Sequence, residues 1–314
     1  MENIVNKNEN LLLKHALPFN LNTKLEKTMG VFMLIGWFFA FFVLAFIFSF
    51  PLFFGASLLP SDALLESSPD FTEAFVQTLN LIIGFSGFYI VVYIIAKFIE
   101  KRPLKTFGFL SRSKLKRMII GFFIGTLSMS ILALLLVILG EGSFSFHEDI
   151  WLVLPLVCMI LIGWIVQGLA EELFFQGLFM PKAVKMYGLG IGVSISAVLF
   201  AFVHGFNEGI TLLAILNLTL YAVFAAFFAL YEEGILGIAS YHIAWNFTQG
   251  TLFGLNVSGG SNAITLIETK LLSPNIFTGH EFGPEGGLLT TLVLSISLLI
   301  IILLHIKKRG LDHG

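Results

Sequence analysis

The stretch MGVFMLIGWFFAFFVLAFIFSFPLFFG, residues 29–55, runs without one charged side chain. A helix needs about 20 predominantly apolar residues to cross a bilayer, because its backbone polar groups must all be bonded within the segment. The stretch is also longer than the apolar part of a signal peptide, which has about 7 to 15 residues. It therefore predicts an uncleaved membrane-spanning helix.

Further apolar runs follow along the rest of the chain. With the first one, they cover residues 29–55, 73–98, 118–140, 151–175, 188–205, 210–231, 234–255 and 286–306. Of the 314 residues, 57% are hydrophobic and 12% charged, whereas about a quarter of a soluble domain is charged. We predict an all-α, polytopic membrane protein of about eight transmembrane helices, with one membrane domain over residues 29–309.

Lys and Arg are concentrated in alternate connections, and cytoplasmic loops are those that carry such an excess. The tail 1–28, the segment 97–117 and the stretch 307–309 are basic, whereas 56–72 and 141–150 hold acids and no Lys or Arg. This pattern predicts a multi-pass protein of the cell membrane with its N-terminal tail and C-terminus in the cytoplasm. The net charge of −2 gives no basic excess, so no nucleic acid is predicted as a partner. The apolar composition predicts the lipid bilayer instead.

The residue inventory excludes several kinds of enzyme. A single cysteine, Cys158, excludes a disulfide framework, a CxxC redox pair and a thiolate zinc cluster. An intramembrane aspartyl protease needs two membrane aspartates, and every aspartate here lies in a predicted loop or at the C-terminus. The aspartates are Asp62, Asp70, Asp149 and Asp312. The chain has no HExxH helix and no GxSG-like turn, so metallo and serine designs of that kind lose support.

Three motifs place polar groups inside the apolar runs. They are EELFFQG at 171–177, FAFVH at 200–204 and HIAWN at 242–246. An ionisable group at the bilayer centre costs about 2.5 to 3.5 kcal/mol or more, so each one is a functional hypothesis. In the last two motifs the end residues are four apart and share one helix face. Taken singly, however, a histidine or asparagine in a span is also explained by helix–helix hydrogen bonding.

The two glutamates cannot serve the same point, because neighbours differ by about 100° around a helix axis. One should face the site and the other should find a separate partner. Gln167 lies four residues before Glu171, and Gln176 four residues after Glu172. We therefore predict that each glutamate accepts a hydrogen bond from the amide on its own helix face.

The spacing also predicts which groups meet. Gly188 lies 17 residues after Glu171 and 16 before His204, so a hairpin that turns there brings these two residues to a similar height. We predict that Glu171, His204, His242 and Asn246 line one cavity in the membrane domain.

At these motifs the sequence resembles the CAAX-protease and bacteriocin-processing (CPBP or Abi) family of intramembrane endopeptidases, which includes the type II CAAX prenyl endopeptidases. The family pattern is a Glu-Glu pair with Arg four residues after the second Glu, then Phe with His four later, then His with Asn four later. The match covers about residues 150–255. It departs at Gln176, which stands at the arginine position and should leave Glu172 without a cation, and therefore neutral.

The resemblance implies a catalytic set of Glu171, Glu172, His204, His242 and Asn246. Glu171 would be the general base for a water that His204 helps to hold, and His242 and Asn246 would donate to the oxyanion. No cofactor is then needed. A zinc version, with Glu171, His204 and His242 as ligands, stays open; the metal-free one is preferred because the sequence shows no carboxylate partner for the histidines.

The implied substrate is a membrane-embedded or lipidated peptide, including a prenylated one. Two other functions stay open. A non-catalytic protein of the same fold, such as a bacteriocin self-immunity protein or a regulatory partner, is favoured by Gln176. A proton-coupled transporter would use the same ionisable groups as a relay, but it should show repeats in matching halves, and none is evident in the sequence.

Overall fold

Each predicted apolar run is helical in the computed structural model, which describes residues 5, 9–19, 24–57, 68–147, 149–262 and 264–312. Residues 1–4, 6–8 and 20–23 of the predicted tail, and residues 58–67 of the first acidic connection, lie outside the described residues. The helices are α1 (Leu11–Lys14), α2 (Lys24–Ser57), α3 (Pro69–Ile94), α4 (Lys114–Ile138), α5 (Ile150–Glu172), α6 (Met180–Tyr187), α7 (Leu189–His204), α8 (Leu212–Glu232), α9 (Leu236–Asn246) and α10 (Leu288–Asp312).

Six helices in the described part of the chain are long and apolar enough to cross a membrane: α2, α3, α4, α8, α10 and α5 with its continuation to Tyr187. The all-α, multi-pass fold class is confirmed. The other two predicted spans form shorter helices, since α7 has 16 residues and α9 has 11. The outward faces of the long helices are apolar, and Phe32, Phe46 and Phe54 of α2 are each more than 60% exposed, as expected for side chains that contact lipid.

Helix α9 is short because it does not face lipid. Every residue from Gly237 to Thr251 is buried, and the helix packs between α4 and α5. A helix surrounded by protein does not have to match the bilayer thickness, and it can carry polar groups that neighbouring helices satisfy. This central position is what makes α9 able to present His242 and Asn246.

Three π-helical segments follow regular helices in the described part of the chain, and one of them, Ile95–Ile99 after α3, lies beside no motif. The segment Leu173–Phe179 follows α5 directly, and Phe247–Leu252 follows α9. Each begins one residue after a motif glutamate or asparagine, namely Glu172 and Asn246. π-Helical turns are rare and frequently mark functional sites. The segments after Glu172 and Asn246 therefore indicate that the region of these two motifs is functional.

A short two-stranded ribbon links two connections that the sequence predicts only as loops. Strand β1 (Gly142–Phe146) pairs antiparallel with β2 (Ile267–Leu271), with Phe144 opposite Thr269. The ribbon ties the connection after α4 to the long connection before α10. It thereby fixes the loops at one end of the helix bundle against each other.

Glycines on α4 allow α9 to approach closely. A Cβ atom added to Gly121 would lie 2.0 Å from the carbonyl oxygen of Gly237, and one added to Gly125 would lie 2.3 Å from that of Tyr241. Small residues at helix contacts let backbones pack directly in membranes. Side chains at these positions would push α9 away from α4 and disturb the helix that carries two of the motif residues.

We predict that Gly121→Ala destabilises the protein by about 1 to 3 kcal/mol, because overpacking forces the two backbones apart. The matched control is Gly36→Ala on α2, where an added Cβ meets nothing within 4 Å. Thermal unfolding in detergent should show a lower midpoint for the first variant and an unchanged or higher midpoint for the second. Equal midpoints would mean that the α4–α9 contact does not depend on glycine.

Candidate active site

One cavity of about 1190 Å³ brings the motif residues together. Glu171, His204, His242 and Asn246 all line it, as predicted, and Gln167 lines it beside them. The residues come from α5, α7 and α9, which are distant in sequence, and the packing of these helices brings them together. The cavity is the natural candidate for an active site, since it is large and contains convergent polar groups.

Glu171 is held by a chain of amides. Its Oε1 accepts a hydrogen bond of 2.8 Å from Nε2 of Gln167, which confirms the predicted pair, and Oε1 of Gln167 accepts one of 3.0 Å from Nδ2 of Asn246. Glu171 is only 6% exposed, and its Oε2 has no hydrogen-bond partner among the described residues. One carboxylate oxygen is therefore fixed, and the other is buried and makes no hydrogen bond to the described residues.

Glu172 has partners that the sequence did not reveal. Its Oε1 lies 2.9 Å from Nδ1 of His242 and accepts a 3.0 Å hydrogen bond from the Tyr221 hydroxyl. The predicted bond from Gln176 is wrong: Oε1 of Glu172 is bonded to Tyr221 and His242, and its Oε2 has no hydrogen-bond partner in the described part of the chain. The reason is the π-helical segment that starts at Leu173, because its wider turn removes the four-residue register of an α-helix.

His242 lies between the two glutamates. Its Nδ1 faces Glu172, and its Nε2 lies 3.9 Å from Oε2 of Glu171. A carboxylate beside one ring nitrogen sets the tautomer and the orientation of the ring. Glu172 is thus the carboxylate partner of His242, a pairing that the sequence alone did not reveal. Glu171 Oε2 and His242 Nε2 are close enough together for one water to contact both.

His204 enters the cavity from the end of α7. Helices α6 and α7 pack against each other around Gly188, whose φ of 85° permits the predicted hairpin turn. Nδ1 of His204 lies 2.8 Å from the carbonyl oxygen of Phe200. Because a carbonyl only accepts, Nδ1 is the donor, and Nε2 is left able to accept a hydrogen bond from a water.

In the residues that the structure describes, no group of three His, Cys, Asp or Glu side chains is placed to hold a metal ion. His204 and His242 use Nδ1 in their bonds to the Phe200 carbonyl and to Glu172, as histidines do that ligate a metal through the other ring nitrogen. The metal-free version was preferred because the sequence shows no carboxylate partner for the histidines, and Glu172 is such a partner. The zinc alternative, with Glu171, His204 and His242 as ligands, therefore stays a prediction, and the steps below use the residues of the chain alone.

Two further residues complete the site and were missed in the sequence. Tyr221 of α8 donates to Glu172. Glu285, in the turn before α10, also lines the cavity, and its Oε2 accepts from the backbone N–H of Ser258 at 2.6 Å and from its hydroxyl at 2.8 Å. Desolvation raises the pKa of the Glu285 carboxyl, and the hydrogen bonds from Ser258 act in the opposite direction without cancelling the rise. Neither residue lies in a motif, so no sequence signal marked them.

Comparison with known proteins supports the same region. Residues 153–248 match the family model described as type II CAAX prenyl endopeptidase Rce1-like, and this range contains all three motifs. This part of the chain is thus similar to the type II CAAX prenyl endopeptidases. No curated protein and no solved structure matches the chain.

We predict that Tyr221→Phe lowers the free energy of unfolding by about 1 to 3 kcal/mol, because it removes a donor from the buried carboxylate of Glu172. The control is Tyr93→Phe, whose hydroxyl accepts from Lys97 at the surface and should matter little. Thermal unfolding of both variants in detergent measures the difference. If the two variants unfold at the same temperature, the Tyr221 hydroxyl does not stabilise Glu172.

Proposed function

We propose that this protein is an intramembrane endopeptidase that hydrolyses a peptide bond of a membrane-associated or lipidated peptide, including a prenylated one. The observation that carries the proposal is the free, buried Oε2 of Glu171 in a large cavity, 3.9 Å from Nε2 of His242. A general base must reach the water that it deprotonates. The family match supports the class of protease, and the residue roles below are our inference.

In the proposed first step, Glu171 acts as the general base. A water held between Oε2 of Glu171 and Nε2 of His204 attacks the peptide carbonyl carbon, and its proton passes to Glu171. The hydrogen bond from Gln167 to Oε1 keeps the carboxylate pointed at that water. In the second step the same proton is given to the leaving amide nitrogen, so the C–N bond breaks to a carboxylic acid and an amine.

Asn246 and His242 are the proposed donors to the oxyanion. The Asn246 amide has two N–H donors, and only one of them is used by Gln167. His242 can donate from Nε2 when its ring is protonated. Preorganised donors of this kind in a site without bulk water are each worth about 2.7 to 4 kcal/mol of transition-state stabilisation.

Glu172 is proposed as a positioning residue and not as the base. It is fully buried, and its Oε1 bonds to Tyr221 and to Nδ1 of His242. The expectation that Glu172 is neutral rested on Gln176 being its partner. With a tyrosine hydroxyl and an imidazole beside it, the carboxylate has donors of its own and does not need the family arginine.

A non-catalytic protein of the same fold is the second candidate, and one observation favours it. Gln176 stands where the family pattern has arginine, and its Oε1 is buried without a hydrogen-bond partner among the described residues. If that position is essential for catalysis, the chain keeps the cavity and has lost the activity. The transporter hypothesis gains no comparable observation.

For the membrane arrangement, we propose a single domain over residues 29–309 in the cell membrane, with the N-terminal tail and the C-terminus in the cytoplasm. The distribution of Lys and Arg supports this orientation. Basic residues cluster on one side of the bundle, where Lys308 contacts Glu233 at 2.8 Å and Lys182 contacts Glu100 at 2.9 Å.

We predict that Glu171→Gln abolishes cleavage of a susceptible membrane peptide, with a loss of about 10²- to 10⁴-fold. Asn246→Ala should cost about 10²- to 10³-fold in kcat. Cleavage is measured with purified protein in liposomes, using peptides with and without a prenyl group. Glu233→Gln, which alters a carboxylate outside the cavity, is the control. Unchanged cleavage by the Glu171→Gln variant would contradict the assignment of Glu171 as the base. If neither the unaltered protein nor the control variant cleaves any peptide, the non-catalytic candidate is favoured.

We predict that reporters fused after residue 314 and inserted between residues 111 and 114 are active only in the cytoplasm. A reporter inserted in the connection between α7 and α8 should be active only outside. Reporter activity in intact cells measures this arrangement. An external C-terminus would reverse the proposed orientation without affecting the geometry of the site.

A further inference from the structure

The two ends of the helix bundle differ in charge. Of the 18 Lys and Arg residues, all but Lys270 lie in the segments 7–27, 97–117, 182–185 and 307–309. The described parts of these segments meet at one end of the bundle: Lys182 lies 2.9 Å from Glu100 and its Nζ donates to the carbonyl of Leu17. The turn 232–235 joins the remaining segment to them, since Lys308 contacts Glu233 and Arg117 lies 3.6 Å from Glu232. We call this the basic end.

The opposite end is acidic. Its connections are joined to one another, since Nε2 of Gln77 donates to Asn262, Asn275 donates to Glu141, and the β1–β2 ribbon lies between them. The described acidic side chains on these connections and on the adjacent helix start are Asp70, Glu73, Glu141, Asp149, Glu208, Glu268, Glu281 and Glu285. Lys270, which contacts Glu268, is the basic residue among them. We call this the acidic end.

The cavity opens toward the acidic end. Its outer lining comes from the first turns of α3, the turn after His204, the residues 257–262 and the turn before α10. Glu73 and Glu208 are exposed there, and Glu285 lies deeper. No described residue of the lining is Lys or Arg, and no described Lys or Arg forms a salt bridge with these three glutamates.

The basic end is covered by the start of the chain. Leu12 and Leu13 of α1 are buried, and Nδ2 of Asn10 donates to the carbonyl of Leu230 at 2.8 Å. Nζ of Lys182 donates to the carbonyl of Leu17. None of these residues lines the cavity, so the N-terminal segment packs over the end that lies away from the opening.

From these observations we propose that substrate enters the cavity from the acidic end, and that the cavity selects a peptide with a cationic segment beside an apolar one. The proposal rests on the proposed function. The acidic rim matches a Lys- or Arg-rich segment. The inner wall, with Phe42, Phe85 and Phe88, matches an apolar segment. The free Oε2 of Glu171, buried between rim and wall, marks where the bond between the two segments would lie.

Complementary charge at a rim acts mainly on encounter and specificity. The described lining holds four glutamates and no Lys or Arg, namely Glu73, Glu208 and Glu285 with Glu171. With the orientation proposed above, the acidic end faces outward, because Lys and Arg are retained on the cytoplasmic side. The substrate would therefore be a membrane-bound peptide whose cationic segment lies outside the cytoplasm.

The direction of entry is tested by labelling a rim cysteine. In a Cys158→Ser background, Ser261→Cys places a thiol at an exposed position of the cavity lining, and Lys105→Cys places one at the basic end. A membrane-impermeant maleimide is applied to intact cells and to inverted vesicles. We expect Ser261→Cys to react only in intact cells and Lys105→Cys only in inverted vesicles. Reaction of both from the same side would overturn the proposed entry.

Charge selection is tested by binding, without any need for cleavage. The probe is a synthetic peptide with an apolar stretch followed by four lysines, compared with the same peptide carrying four glutamates. We expect the lysine peptide to slow maleimide labelling of Ser261→Cys at least tenfold more than the glutamate peptide. In the double variant Glu73→Gln, Glu208→Gln this protection should weaken at least fivefold. The protection should persist in the control double variant Glu268→Gln, Glu281→Gln. This control removes the same charge at the acidic end, from residues that do not line the cavity.

Equal protection by the two peptides would overturn charge selection, and so would equal weakening in the two double variants. Because labelling reports binding alone, these outcomes are independent of peptide hydrolysis. A protein that binds the lysine peptide but cleaves nothing would contradict the proposed function and leave the entry and selectivity intact. A protein that cleaves peptides but is protected equally by the lysine and glutamate peptides would support the proposed function and contradict the charge selection.

Discussion

The structure depends on one constraint: polar groups placed in a membrane domain must find their hydrogen-bond partners within the protein. Helix α9 carries His242 and Asn246 and is buried from Gly237 to its end. It can lie there because α4 presents glycines, such as Gly121 and Gly125, that let two backbones meet. The central position of α9 then brings its polar side chains against the glutamates of α5, and the lipid-facing helices enclose the pair.

Two short polar networks result, and they have different consequences for chemistry. In the first, Asn246 holds Gln167, which holds Glu171, and one oxygen of Glu171 stays free in the cavity. In the second, Tyr221 and His242 bond to Oε1 of Glu172, a residue that does not line the cavity, and its Oε2 has no hydrogen-bond partner among the described residues. The adjacent glutamates thus differ in their partners, and on this difference we propose Glu171 as the reactive carboxylate and Glu172 as the supporting one. This division is what makes a glutamate-activated water a coherent proposal.

The ends of the bundle give the site a direction. The N-terminal segment and the basic residues cover one end, and the acidic connections surround the opening at the other. Loops are the usual carriers of specificity on a rigid helical scaffold. Here the long connection before α10 contributes Glu285, and the turn after His204 contributes Glu208. Residues of these loops thus line the same cavity as the three motifs.

The sequence by itself determined the helical membrane class, the three motifs and the pairing of Gln167 with Glu171, because apolar run length and four-residue spacing are local properties. It did not determine the partners of Glu172. The π-helical segment after Glu172 moves Gln176 out of register, and Tyr221 and His242 arrive from other helices. Nor did it reveal Glu285, which reaches the cavity through the fold of a loop. Contacts between distant segments follow from helix packing, and only the tertiary structure decides them.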